Sequence, residues 1–268
     1  MGSFYSSLVN TVSEVVALNE AHVPDRPRRS RLRLLCLHGH GSNSDITEMQ
    51  LTSLQLQDVH GVSCDRLEAE LTHAASNATL AQLSERPFRT WFHWTKSSAD
   101  SFTTTNLEES LERIMAAVSK YGPYDGIYGF SQGAFMCSVV CNPAVWRGRF
   151  GLDRCPFDFA ILANAGLSDS LRSCKVAQAR ASGGEPEAAL ELPLTIPSLH
   201  LIGALDPYYR SQKSLASDLY TYAHTHVHAE GHELPLKLVQ DVQLTEALAG
   251  FLKPFAESKR LHADEHIF

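Results

Sequence analysis

Long hydrophobic runs are missing from this 268-residue chain, and no apolar stretch approaches the length needed to cross a bilayer. A membrane protein is therefore not expected. Basic residues are in deficit: 23 Lys and Arg stand against 30 Asp and Glu, a net charge of −7. Neither nucleic acid nor an anionic membrane surface is an expected partner. Cysteine is sparse and without a disulfide framework. Cys36, Cys64, Cys137, Cys141, Cys155 and Cys174 are scattered, several of them in apolar runs where free buried thiols are common. A reducing compartment, the cytoplasm, is the expectation. A signal-peptide core is also lacking, because Asn10, Ser13 and Glu14 interrupt the apolar residues near the N-terminus. The C-terminal Asp264-Glu265-His266-Ile267-Phe268 matches no retention or lipidation signal. Internal repeats are absent.

What remains is 44% apolar residues, enough for the core of one α/β domain or two small ones. Arg31 to Leu37 reads as a buried strand that runs into the Gly-rich loop His38-Gly39-His40-Gly41-Ser42-Asn43. Ser44 or Asp45 then caps a helix to about Gln57. Leu67 to Ala74 fits a strand or a short helix. Leu107, Leu111, Ile114, Met115 and Val118 form one face of a helix from Asn106 to Lys120, stopped by Gly122-Pro123. Buried strands follow at Tyr124–Phe130, Phe157–Gly166 and Pro197–Gly203, with helices to Cys141 and over Tyr208–Ala223. Residues 167–193 read as a surface excursion. His224 to His228 reads as the last strand and Leu238 to Phe255 as the last helix. Alternating strands and helices predict an α/β class, and the notable polar residues fall just past strand ends, where such sheets bind ligands.

The central motif is Gly129-Phe130-Ser131-Gln132-Gly133, between an apolar strand and a small-residue helix. By chance the five-letter pattern arises in about one chain in ten of this size, so its context carries the weight. A serine on such a sharp turn is lifted out of the sheet at a helix N-terminus and can act as a nucleophile. A neutral hydroxyl needs an imidazole to take its proton, and the imidazole needs a carboxylate to fix its tautomer. After Ser131 the best-placed acid is Asp206, following a buried strand. The rivals Asp158, Asp169 and Asp218 lie within a strand, an excursion and a helix. His232 sits in the loop between the last strand and the last helix, where the base belongs. The negative charge formed on an attacked carbonyl needs donors, for which the backbone N–H groups of Gln132 and His40 are the candidates. His38 reads instead as a residue orienting that loop. His224, His226 and His228 alternate along a strand and suit a metal, but a solvated edge explains them more simply, so no metal is expected. Trp91, Phe92 and Trp94 belong to an aromatic patch in a loop-like stretch. They fit either a pocket wall or lid, or a satellite hydrophobic cluster.

Four motifs in order carry a family resemblance: Leu35-Cys36-Leu37-His38-Gly39-His40-Gly41-Ser42-Asn43, Gly129 to Ala134, Gly203-Ala204-Leu205-Asp206-Pro207 and Gly231-His232-Glu233-Leu234-Pro235. Together they resemble the serine hydrolase family typified by the yeast family-of-serine-hydrolases proteins and the human ovarian-cancer-associated homologue. The resemblance spans about Leu32 to Phe255. His40 stands where the family usually has an aromatic, and Glu230 where it usually has a second glycine. The resemblance implies an α/β-hydrolase fold, with a mostly parallel sheet covered by helices on both faces. On that reading 1–30 is an extension and linker, 31–256 the hydrolase domain, 84–106 an aromatic lid or pocket segment, and 257–268 a C-terminal tail. It further implies a catalytic set of Ser131, Asp206 and His232, no cofactor, and esterase or thioesterase activity on small acyl or polyketide-like substrates. A carrier domain of a polyketide synthase is a partner that fungal members suggest. Two other outcomes share the same residues: acyl transfer or ring closure by the acyl-enzyme, and a non-catalytic small-molecule binder.

Overall fold

The computed structural model describes residues 31–96, 102–178, 187–234 and 241–264. The N-terminal extension expected over 1–30 lies outside the described residues, as do positions 235–240 before the last helix. In chain order the strands are β1 (Arg33–Leu37), β2 (Ser63–Leu67), β3 (Leu71–Thr72), β4 (Arg89–Thr90), β5 (His93–Lys96), β6 (Phe102–Thr105), β7 (Gly126–Phe130), β8 (Phe159–Ala163), β9 (Lys175–Ala177), β10 (Glu187–Ala189), β11 (Ser198–Gly203) and β12 (Ala223–His228). The helices are α1 (Ser44–Ser53), α2 (Ala78–Leu83), α3 (Leu107–Tyr121), α4 (Gln132–Val140), α5 (Pro143–Trp146), α6 (Ser168–Ser173), α7 (Tyr209–Leu219) and α8 (Val242–Asp264).

Six strands form the central sheet in the order β12-β11-β8-β7-β1-β2, and every neighbouring pair is parallel. Alternate residues along each strand feed two cores, as the period-two geometry of a strand requires. Leu35, Leu37, Ile127, Ala160 and Leu162 face one side, with α3, α4 and α7 packed on them. Leu34, Cys36, Tyr128, Ile161 and Leu201 face the other, covered by α1 and α8. This double burial explains why the central strands read as continuous apolar runs.

Several local expectations change. The second strand is Ser63–Leu67, not residues 67–74; it lies at the sheet edge and is only partly buried, so it carries no apolar run. Leu71–Thr72 instead makes a short antiparallel pair with Arg89–Thr90. Asn43 caps α1, its side chain accepting the Ile46 N–H at 3.1 Å. The stretch expected as a surface excursion buries Leu171, Val176 and Leu190 in the core. The last helix continues through Asp264, past the tail boundary expected at 257. Its Lys259 ammonium reaches both carboxylate oxygens of Asp125 at 2.8 and 2.6 Å, which ties the helix to the start of β7.

Among the buried imidazoles are His38 at the end of β1 and His200 within β11. Burial lowers them to about 4 and about 3 respectively. In the unfolded chain both return to about 6.5. As pH falls the unfolded state therefore takes up protons first. The stability that depends on their neutral form is complete above about pH 6.5 and is lost as pH falls toward the folded values, on the order of 3 kcal/mol per imidazole. His200→Gln should flatten part of the decline in urea midpoint between about pH 7 and about pH 4.5. An unchanged slope in that variant would count against this account.

Candidate active site

Ser131 joins β7 to α4 with φ 52° and ψ −112°, a left-handed conformation that a side-chain-bearing residue rarely adopts. Two glycines make the turn possible. A Cβ at Gly129 would lie 2.4 Å from the Gly133 carbonyl, and one at Gly133 would lie 2.4 Å from the Leu37 oxygen. The Ser131 N–H donates to the Ala163 carbonyl of β8 at 2.9 Å, which fixes the turn against the neighbouring strand. The hydroxyl is presented at the C-terminal edge of the sheet.

Asp206 follows β11, and its side chain is fully shielded from solvent. Its Oδ1 accepts the Tyr208 N–H at 2.8 Å. Its Oδ2 accepts from Asn164 Nδ2 at 2.9 Å and meets His232 Nδ1 at 2.7 Å. Burial alone raises this carboxyl; the bonds from Asn164 and the Tyr208 backbone, with His232 beside it, outweigh that and hold it below the usual carboxylate range. A carboxylate can only accept, so His232 Nδ1 carries the proton and Nε2 is left as an acceptor. That Nε2 lies 2.8 Å from Ser131 Oγ. The three residues expected to act together thus form one hydrogen-bonded chain.

The loop carrying His232 is positioned by β11. A Cβ at Gly203 would fall 2.3 Å from the Gly231 oxygen, so only glycine lets the loop lie against the strand end. Backbone bonds from Ala204 to His228 and from Leu205 to Glu230, 2.8 and 3.0 Å, hold it there. The rings of Phe130 and Tyr208 flank His232, with centroids 5.4 and 5.5 Å away.

Gln132 opens α4, where a backbone N–H has no acceptor within the helix. His40 lies in the loop after β1, and its imidazole Nδ1 is 2.8 Å from Thr90 Oγ1. Burial, then the neighbouring His73, His93 and His38, lower its pKa. His38 is a loop-orienting residue: Nδ1 donates to the Gly39 carbonyl at 2.7 Å and Nε2 accepts the Ala69 N–H at 3.1 Å. Trp91 and Phe92 are fully buried in the core, which fits the hydrophobic-cluster alternative rather than a lid. The Trp91 indole N–H donates to the His38 carbonyl at 2.8 Å, the partner that allows its burial. Trp94 is half-buried against Phe92 and Phe135, at 4.4 and 5.4 Å. His224, His226 and His228 do not converge: His224 packs on Phe251 and His226 Nε2 lies 3.4 Å from Asp241. Among the described residues no group of His, Cys, Asp or Glu is arranged to hold a metal ion, and no helix is long and apolar enough to cross a membrane.

Asn164 was missed in the sequence. It follows β8 with φ 49°, a conformation that asparagine tolerates better than most residues. There its Nδ2 bonds both Asp206 and the Gly231 carbonyl, each at 2.9 Å. The available signal was an asparagine just past a buried strand end.

The profile of the family described as serine hydrolase (FSH1) matches residues 28–244. Human esterase OVCA2 is 34% identical over 182 residues, covering 65% of this chain and 70% of its own length. Esterase FPY3 of Fusarium mangiferae is 29% identical over 217 residues, covering 79% and 92%. Hydrolase phiM of Talaromyces stipitatus is 26% identical over 231 residues, covering 83% and 87%.

Asn164→Ala should slow labelling of Ser131 by a fluorophosphonate by roughly 10-fold, the worth of a hydrogen bond to a charged group. Asn164→Asp should slow it further, because a second carboxylate would face Asp206. Labelling rates equal to wild type in both variants would remove Asn164 from the site.

Proposed function

The chain belongs to the FSH1 family of serine hydrolases, and from that premise we propose that it cleaves carboxylic esters of small acyl groups through an acyl-Ser131 intermediate. The observation that carries this reading is the unbroken chain Ser131 Oγ–His232 Nε2 and His232 Nδ1–Asp206 Oδ2, at 2.8 and 2.7 Å. Ser131 Oγ attacks the ester carbonyl as His232 Nε2 takes its proton. The ionised Asp206 stabilises the imidazolium that forms. The N–H groups of Gln132 and His40 receive the negative charge on the carbonyl oxygen. Collapse of the adduct breaks the bond to the leaving group, which takes the proton from His232. Water then repeats the sequence on the acyl-serine, returning Ser131 and releasing the acid.

An acyl thioester presents the same carbonyl with a thiol as leaving group and is included in the substrate class. An acyl chain delivered by a carrier domain is one form such a thioester takes. The recess beside the next turns of α4, lined by Phe135, Ser138, Ala165, Leu167, Leu171 and Leu215, is too tight to admit a water molecule, so a long acyl chain finds no place in it. The scattered free cysteines, most of them buried, suit a reducing compartment such as the cytoplasm.

Ser131→Ala should reduce turnover of a p-nitrophenyl ester by about 10⁴-fold or more and abolish fluorophosphonate labelling. The wild-type rate should rise with pH across the range in which an imidazole base loses its proton. A panel of acyl esters and thioesters of increasing length should favour the short members. Wild-type turnover by Ser131→Ala, or no labelling of the wild-type protein, would overturn the reading.

A further inference from the structure

We infer that Thr90 is a positioning residue: its buried hydroxyl locks the two backbone donors of the oxyanion site, His40 and Gln132, to one another. The inference rests on the donor roles proposed above. Those donors come from separate elements, the loop after β1 and the first residue of α4. Their mutual placement matters, since an error of about 1 Å in such a constellation reduces rate by roughly 10²-fold. Something must therefore join the two elements.

The joining piece is the segment 89–92. Arg89 pairs with Ser42 as a short antiparallel bridge, by bonds of 2.7 and 3.2 Å, and so grips the loop that carries His40. Thr90 Oγ1 lies 2.8 Å from His40 Nδ1, 2.8 Å from Gln132 Oε1 and 3.0 Å from Phe92 O. Gln132 Oε1 also accepts the Trp91 N–H at 2.9 Å, and Gln132 Nε2 donates to the Phe92 carbonyl at 2.8 Å. Ser110 Oγ donates to the Trp91 carbonyl from α3. Thr90, Trp91, Phe92 and Gln132 are all buried.

The donor count explains why a hydroxyl stands there. Gln132 Oε1 and Phe92 O can only accept, so Thr90 supplies its single proton toward them. His40 must then donate from Nδ1–H into the Thr90 oxygen. One atom thus accepts from the loop and donates to the helix start. A methyl in its place would leave half-buried His40 Nδ1 without this acceptor, and the buried Gln132 Oε1 and Phe92 O without this donor. Of the residues 89–92, Thr90 is the one whose hydrogen bonds reach both side chains.

Thr90→Val keeps the shape and removes the hydroxyl. With a p-nitrophenyl ester it should lower kcat by roughly 10- to 100-fold while KM stays within about 2-fold. The affinity for a trifluoromethyl ketone, whose serine adduct bears an oxyanion, should fall by the same factor. Thr90→Ser should restore most of both. His40→Leu keeps the backbone donor but removes the imidazole, so its loss should not add to that of Thr90→Val in the double variant; it also serves if Thr90→Val fails to fold. Unchanged kcat in Thr90→Val or His40→Leu, or losses in the two that simply multiply, would overturn the inference. So would loss of ester turnover without loss of ketone affinity. Failure of the hydrolase reading is separable, because it shows as Ser131→Ala matching wild type.

Discussion

The close approach of α4 to the end of β1 is the constraint on which the site depends. Gly133 lies so near the Leu37 and His38 carbonyls that a single added carbon would fall 2.4 to 2.6 Å from them. That contact allows the helix to start immediately above the sheet edge. It forces the left-handed turn at Ser131 and brings Gln132 beside the loop of His38 to Ser42. Strain at one serine is held by packing on every side: Gly129 beneath the helix, Gly133 against β1, and the Ala163 carbonyl accepting the Ser131 N–H. Relaxing any of these would move Ser131 and Gln132, the proposed nucleophile and oxyanion donor, together, since they are adjacent in the chain.

A second constraint is electrostatic. Asp206 is buried, yet its three hydrogen-bonding neighbours on two oxygens hold its pKa below the ordinary carboxylate range and keep it ionised. A shielded, stably charged carboxylate fixes the tautomer of His232 and leaves Nε2 free to accept from Ser131. Asn164 joins this electrostatic unit to the loop geometry. It bonds Asp206 with the same amide that bonds the Gly231 carbonyl, so the acid and the loop bearing the base are set by one side chain. The glycine at 203 serves the same end from the strand side.

What could be read in the sequence follows from the range of the interactions involved. Buried parallel strands announce themselves because both faces need apolar residues, as at Leu34–Leu37 and Phe159–Ala163. The order of Ser131, Asp206 and His232 was legible because each follows a strand end, a local feature. The edge strand Ser63–Leu67 was not, because it is only partly buried and its letters are mostly polar. Asn164 and Thr90 were hidden for another reason: each acts through partners about 42 residues away, and no local pattern encodes such a bond. Trp91 and Phe92 left two readings open, a pocket wall or lid and a hydrophobic cluster. The indole N–H finds the His38 carbonyl and the ring stacks on the His38 imidazole at 5.0 Å, contacts that no local pattern could show. With its one polar atom satisfied, nothing opposes burial of the whole side chain.

That burial changes where substrate contacts must be sought. Aromatic surface near Ser131 comes instead from Phe130 and Tyr208, whose rings both neighbour His232. Tyr208 is half exposed, and Leu205 beside it is 75% exposed, an unusual position for a leucine next to a buried acid. Both belong to the same turn as Asp206, so the turn that carries the buried carboxylate also carries the apolar rim around His232. The rim cannot be redesigned freely: the Tyr208 N–H is a ligand of Asp206, and Gly166 must stay small because an added carbon would lie 2.5 Å from the Tyr208 Cβ. Specificity on this side of the site is therefore open to change in side chains, while the backbone that carries them is held by the chemistry.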